Sequence, residues 1–220
     1  MSGIAFIPLN DEQVILKANQ LADKGIAILT WNSKLEGIRD FRYIGQDHIK
    51  GGRIAAGLME KLLPNGGNIC IITSSRDLSC HQDRLDGFTE RINHCSNPIH
   101  ILDIKENQDQ RDKAFRITLE YCNSYPDFQG IYLTSSGCDG AVNALALANR
   151  LNNTKLICHD LVPETVRLLK DGSLDFVLSQ SAESQGYQLV KELFDYLMKR
   201  QTPTSPFFEI PVDIITKELL

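Results

Sequence analysis

Short apolar runs rich in β-branched residues recur along the chain, each followed by a polar turn and then by a segment whose apolar residues return every three or four positions. Runs at 3–9 (GIAFIPL), 26–31, 42–46, 68–74, 98–104, 130–135, 155–160 and 175–180 predict strands. Segments at 11–24, 47–63, 81–94, 109–124, 138–152, 163–170 and 182–200 predict helices. Gly25, Pro64-Asn65-Gly66-Gly67, Pro126 and Asp171-Gly172 fall just past helix ends, where a left-handed or helix-stopping residue belongs. The strands are close to continuously apolar, so helices are expected on both faces of parallel sheets in an α/β fold. The tail PTSPFFEIPVDIITKELL predicts a late strand that returns to an earlier part of the structure.

In such sheets ligands bind beyond the carboxyl ends of the strands. Here those ends read Asn10-Asp11, Trp31-Asn32-Ser33, Gln46-Asp47-His48, Ser74-Ser75-Arg76, Lys105-Glu106-Asn107, Ser135-Ser136, His159-Asp160 and Gln180-Ser181. The set is rich in groups that donate and accept hydrogen bonds, the inventory a polyhydroxylated small molecule needs. No GxGxxG follows a strand and no GxxxxGK[ST] occurs, so nucleotide cradling and a bound cofactor are unsupported.

Composition narrows this further. The 220 residues carry 23 Lys+Arg against 28 Asp+Glu, a formal charge of −5, with no basic cluster to bind nucleic acid directly. No apolar run is long enough to span a bilayer, and no export signal is evident at the start. The six cysteines form no CxxC, which argues against zinc. Cys70 and Cys158 sit within strand-like runs as small hydrophobes, usage that implies a reducing, cytoplasmic setting. The histidines are isolated, and no nucleophile–base or paired-carboxylate set is evident, so no enzymatic activity is expected.

Three strings, in order and at matching spacing, resemble the effector-binding domain of LacI-family transcriptional regulators, a two-lobed type I periplasmic-binding-protein-like fold. They are RYIGQDHIKGGRIAAGLMEKLL, NICIITSSRDLSCHQDRLDGFTERI and LICHDLVPETVRLLKDGSLDFVLSQSAESQGYQLVKELFDYLM. The resemblance covers nearly the whole chain and implies a truncated N-terminal lobe (1–46), a crossover helix (47–67), a C-terminal lobe (68–180) and a return helix and strand (181–220). The first strand-helix-strand-helix unit of the family is not seen ahead of residue 3. It further implies a cytoplasmic, homodimeric regulator whose effector, a sugar, binds between the lobes, with DNA contacted only through a helix-turn-helix outside these residues. Leu58, Leu62, Leu193 and Leu197 are candidates for the dimer contact. The alternative is the binding component of a sugar transporter.

By the same resemblance, Asp160 accepts hydrogen bonds from ligand hydroxyls and Gln180 supplies an amide on the hinge side. A helix cap or turn is the competing role for Asp160. His159, Asn32, Trp31 and Ser135, with its neighbour Ser136, are further candidates. Gln82 is assigned the place of a ligand-gripping arginine, with His81 beside it and Arg84 as a structural residue. Asp47 and Arg53 read as a helix N-terminus and a surface charge.

Overall fold

A computed structural model describes residues 1–75 and 77–220. Arg76, named above at a strand end, lies outside the described residues. Among the described residues two sheets form. The first contains β1 (Gly3–Phe6), β2 (Ala27–Trp31), β3 (Arg42–Gly45) and β9 (Phe207–Glu209), in the order β1-β2-β3-β9 and all parallel. The second runs β10-β8-β7-β6-β4-β5, from β4 (Gly67–Thr73), β5 (Ile99–Glu106), β6 (Phe128–Leu133), β7 (Lys155–His159), β8 (Phe176–Ser179) and β10 (Asp213–Ile215). Only β10 in this sheet is antiparallel, against β8. The parallel α/β architecture expected from the periodicity, and the two lobes implied by the resemblance, are thus present.

Helices α1 (Glu12–Asp23) and α7 (Ala182–Lys199) belong to the first lobe, and α2 (His48–Leu62), α3 (Ser79–Ile92), α4 (Arg111–Ser124), α5 (Cys138–Leu147) and α6 (Pro163–Lys170) to the second. The segment expected to cross between the lobes, 47–67, instead packs α2 against α3 as part of the second lobe. Asp47 caps α2, accepting from Lys50 N at 2.9 Å, and Arg53 pairs with Glu90 on the surface at 2.7 Å. The return helix α7 lies on the first sheet, held there by a half-buried Arg42–Glu192 ion pair (2.7 Å) and a stacked Phe41–Tyr196 pair. The tail divides between the lobes: β9 extends the first sheet and β10 the second.

Burial follows the apolar runs. The second sheet carries a core on each face, one around Ile72, Leu133, Leu145, Cys158 and Val177, the other around Met59, Ile71, Phe88, Tyr132 and Leu178. The leucines considered for a dimer are used internally: Leu58 and Leu62 pack on the second of these cores, and Leu193 and Leu197 meet Gly3 of β1. The cysteines are free and buried or half-buried, and burial pushes the Cys70 thiol up to about 12. No described helix is long and apolar enough to cross a membrane.

Candidate ligand-binding site

The chain passes between the lobes three times, after Gly45, after Ser179 and between Glu209 and Asp213, so the carboxyl ends of the strands converge on one crevice. A pocket of about 400 Å³ opens there. Its lining includes Ser135, Ser136, His159, Asp160 and Gln180, together with Asp109, Arg111, Asp139 and Thr165.

Asp160 sits just past β7 with a left-handed backbone (φ 71°). The turn is fixed from both sides: its N–H donates to Leu178 O at 3.0 Å, and Thr165 Oγ donates to its carbonyl at 2.7 Å. The cap of α6 is Val162, so Asp160 is not the helix cap the sequence allowed. Its carboxylate takes a hydrogen bond from Gln180 Nε2 at 2.5 Å, while Gln180 Oε1 is buried without a protein partner. Two neighbouring strand ends therefore present an acceptor-rich pair to the pocket. Ser135 Oγ and His159 Nδ1 likewise lack a protein partner.

Asp109 was not anticipated. It follows β5, takes hydrogen bonds from Ser74 Oγ (2.5 Å) and from the N–H and Oγ of Ser136 (3.0 Å each), and braces the loops beneath the pocket. Its carboxyl stays below the ordinary range because those bonds outweigh the opposing effect of burial, the largest single influence. Arg111 and Asp139 form an ion pair (2.5 Å) at the rim. The signal for Asp109 was its place just beyond a strand end, in a polar run where no family-like string drew attention.

Four expected site residues lie elsewhere. Gln82 faces solvent and donates to Asp86 at 2.6 Å, an ordinary i,i+4 contact. Trp31 packs on the first lobe's core of Leu29, Ile44 and Ile210. Asn32 (φ 59°) binds the lobes together, its carbonyl accepting from Tyr43 Oη (2.8 Å) and His48 Nε2 (2.5 Å). Beside it Ser33 Oγ accepts from Cys80 N at 3.4 Å, and Lys34 bonds Ser79, so this loop is spent on the start of α3. His81 is buried behind the pocket, against Thr134.

Arg84, taken from the sequence as structural, is 2% exposed and makes no ion pair among the described residues. Nη1 donates to Thr134 O at 2.7 Å, one residue before the pocket-lining Ser135, while Nε and Nη2 have no partner in the protein. Those two N–H groups form the edge with which guanidinium grips paired oxygens. His48, His81 and His159 surround this charge. Burial first, and the Arg84 charge next, hold His48 down at about 3 and His81 at about 4, with His159 well below its ordinary value. Among the described residues no group of three or more His, Cys, Asp or Glu is arranged to hold a metal ion.

Comparison with known proteins decides the lineage: residues 1–201 match the periplasmic binding protein domain. The chain belongs to that family. Periplasmic binding protein domains related to it include the D-ribose/D-allose-binding protein of Pseudomonas aeruginosa, 21% identical over 98% of this chain and 70% of its own length. The D-allose-binding periplasmic protein of Escherichia coli K12 is 22% identical over 88% of this chain and 65% of its own length. The chain thus spans about two thirds of the length of these relatives. GanP, a glucose-galactose binding protein from Geobacillus stearothermophilus, superposes with a TM-score of 0.92 at 23% identity, over 99% of this chain and 77% of its own.

These relatives overturn the regulator expected from the resemblance, since they are named as sugar-binding proteins and not as LacI-family regulators. The DNA-linked homodimer loses its support with that reading. The cytoplasmic expectation is corrected too, the Escherichia coli relative being a periplasmic protein. The inference from cysteine usage failed because thiols serving as core hydrophobes carry no information about compartment.

Proposed function

We propose that this chain binds a small sugar in the crevice between its lobes, as the recognition component of a sugar-uptake system. The observation that carries the reading is the pocket wall, where the Asp160 carboxylate stands beside Gln180 Oε1, Ser135 Oγ and His159 Nδ1, the last three without a protein partner. Ligand hydroxyls can donate to the Asp160 carboxylate and to Gln180 Oε1, and accept from Ser135 Oγ. Neutral hydroxyls, each both donor and acceptor, suit this mixture. The sugars named for the relatives set the first candidates.

Calorimetric titration with D-ribose, D-allose, D-xylose, L-arabinose and D-galactose tests the reading. Binding of none of them by the folded protein counts against it. Asp160→Ala is expected to weaken binding roughly tenfold to a hundredfold, as loss of a charged hydrogen bond does, with folding retained because the carboxylate lies at a pocket wall.

A further inference from the structure

Gln46 stands at the first crossing and is 3% exposed. Its Nε2 donates to Ser179 O at 2.9 Å, on the second crossing, and to Pro211 O at 2.6 Å, on the third. One side-chain amide therefore ties together all three passages of the chain between the lobes. The surrounding bonds follow the same plan. Ile210 N donates to Gly45 O at 2.8 Å, linking the third crossing to the first. Ser181 Oγ donates to Asp213 Oδ2 at 2.9 Å, linking the second to the third, and Gln185 Nε2 donates to Gln180 O at 2.7 Å. Among the described residues Gln46 is the side chain that reaches two other crossings, and an amide has the two hydrogens that this takes.

We infer that Gln46 is a positioning residue for ligand binding: its amide makes the three crossings bend as one unit, and through Ser179 it holds the next residue, Gln180, against Asp160 in the pocket. Gln46 does not line that pocket and has no part in contacting the ligand. Three separate tethers would let the lobes twist as well as hinge. A shared donor removes the twisting modes, because moving any one crossing alone breaks a buried hydrogen bond and leaves a carbonyl unpaired. The closed arrangement is then reached along one path with the pocket groups in register. This rests on the sugar-binding reading only for its benefit to affinity; the mechanical coupling stands or falls without ligand.

The experiment compares the parent with Gln46→Ala and Gln46→Glu by hydrogen–deuterium exchange of the ligand-free protein, followed by titration with whichever sugar binds the parent. Glu matches Gln in shape but has at most one hydrogen to donate, and none when ionised, so it cannot bond both carbonyls and breaks the clasp without leaving a cavity. In both variants the amides of Ser181 and Ile210 are expected to exchange at least tenfold faster, while those of β4 and β6 keep their protection. Sugar affinity is expected to fall about tenfold. Unchanged exchange at Ser181 and Ile210 overturns the proposal, as does a uniform rise over all segments that tracks a loss of global stability. If the parent binds none of the sugars, the sugar reading fails while the exchange result still decides the clasp.

Discussion

Lowering the pH from 7 to 5 is expected to remove at least about 4 kcal/mol of stability, a large part of the ~5–15 kcal/mol typical of a folded domain. His48, His81 and His159 are held neutral in the fold, their pKa values depressed from an ordinary 6.5 by burial and by the Arg84 charge. In the unfolded chain they take up protons as the pH drops through 6.5, whereas in the folded chain His81 does not until about 4 and His48 until about 3, and His159 is held well below its ordinary value. Stability is therefore fully present above 6.5 and lost progressively between 6.5 and the folded values, at about 2 kcal/mol each for His48 and His81 by pH 5, with His159 acting in the same direction. Asp40 and Asp83, raised by burial, act in the opposite sense and soften the acidic end. Urea unfolding at pH 5, 6 and 7 checks this. A midpoint that does not move, in a protein whose slope with denaturant is constant, means that these rings are not buried and neutral as described.

Alanine at Gly52 or Gly87 is expected to cost about 3 kcal/mol or more, enough to leave much of the protein unfolded at physiological temperature. The two helices that carry His48 and Arg84 cross at these glycines. A Cβ on Gly52 would lie 2.1 Å from Arg84 O, and one on Gly87 would lie 2.0 Å from Ile49 O. Both obstacles are backbone carbonyls, which give way only if α2 and α3 move apart. Gly57, on the same helix α2, meets nothing within 4 Å. Gly57→Ala should therefore gain about 0.5–1 kcal/mol from helix propensity alone. Denaturation curves for the three variants decide the matter: a Gly52→Ala protein as stable as Gly57→Ala would show that the helices do not cross so closely.

The same two glycines show where reading the sequence succeeds and where it stops. The apolar strings NICIIT, GIYLT and KLICH mark their strands because both faces of the second sheet are covered, so the pattern is almost unbroken. That Asp160, Gln180, Ser135 and His159 line the pocket was legible for a related reason: parallel strands place their ends in one crevice whatever the loops do. Arg84 was read as structural, but its burial without an ion pair was not legible. Charged residues on helices are usually solvated, and its burial comes from a helix crossing set by glycines on two separate helices, a tertiary fact with no local periodicity. Gln82, two positions away, carried the more suggestive alignment but lies on the solvent side of α3, because two residues along a helix turn the side chain through about half a circle. Asn32 lies outside that pocket, in a loop whose backbone is taken up by contacts to α2 and α3. The division of the tail between β9 and β10 was hidden by its length: each strand has three residues, too few for alternation to register.

That divided tail bears on the order in which the protein is made. The residues Phe207–Glu209 and Asp213–Ile215 supply the last edge strand of each sheet, pairing with β3 and β8 respectively. During synthesis from the N-terminus, neither sheet has all the strands described here until residues 207–215 have left the ribosome. The β3–β9 pairing in particular joins Tyr43 to Phe207 and closes the longest loop of any strand pairing among the described residues, the kind of contact that forms late. Until it does, Tyr43 and Ile44 present an open strand edge to other nascent chains.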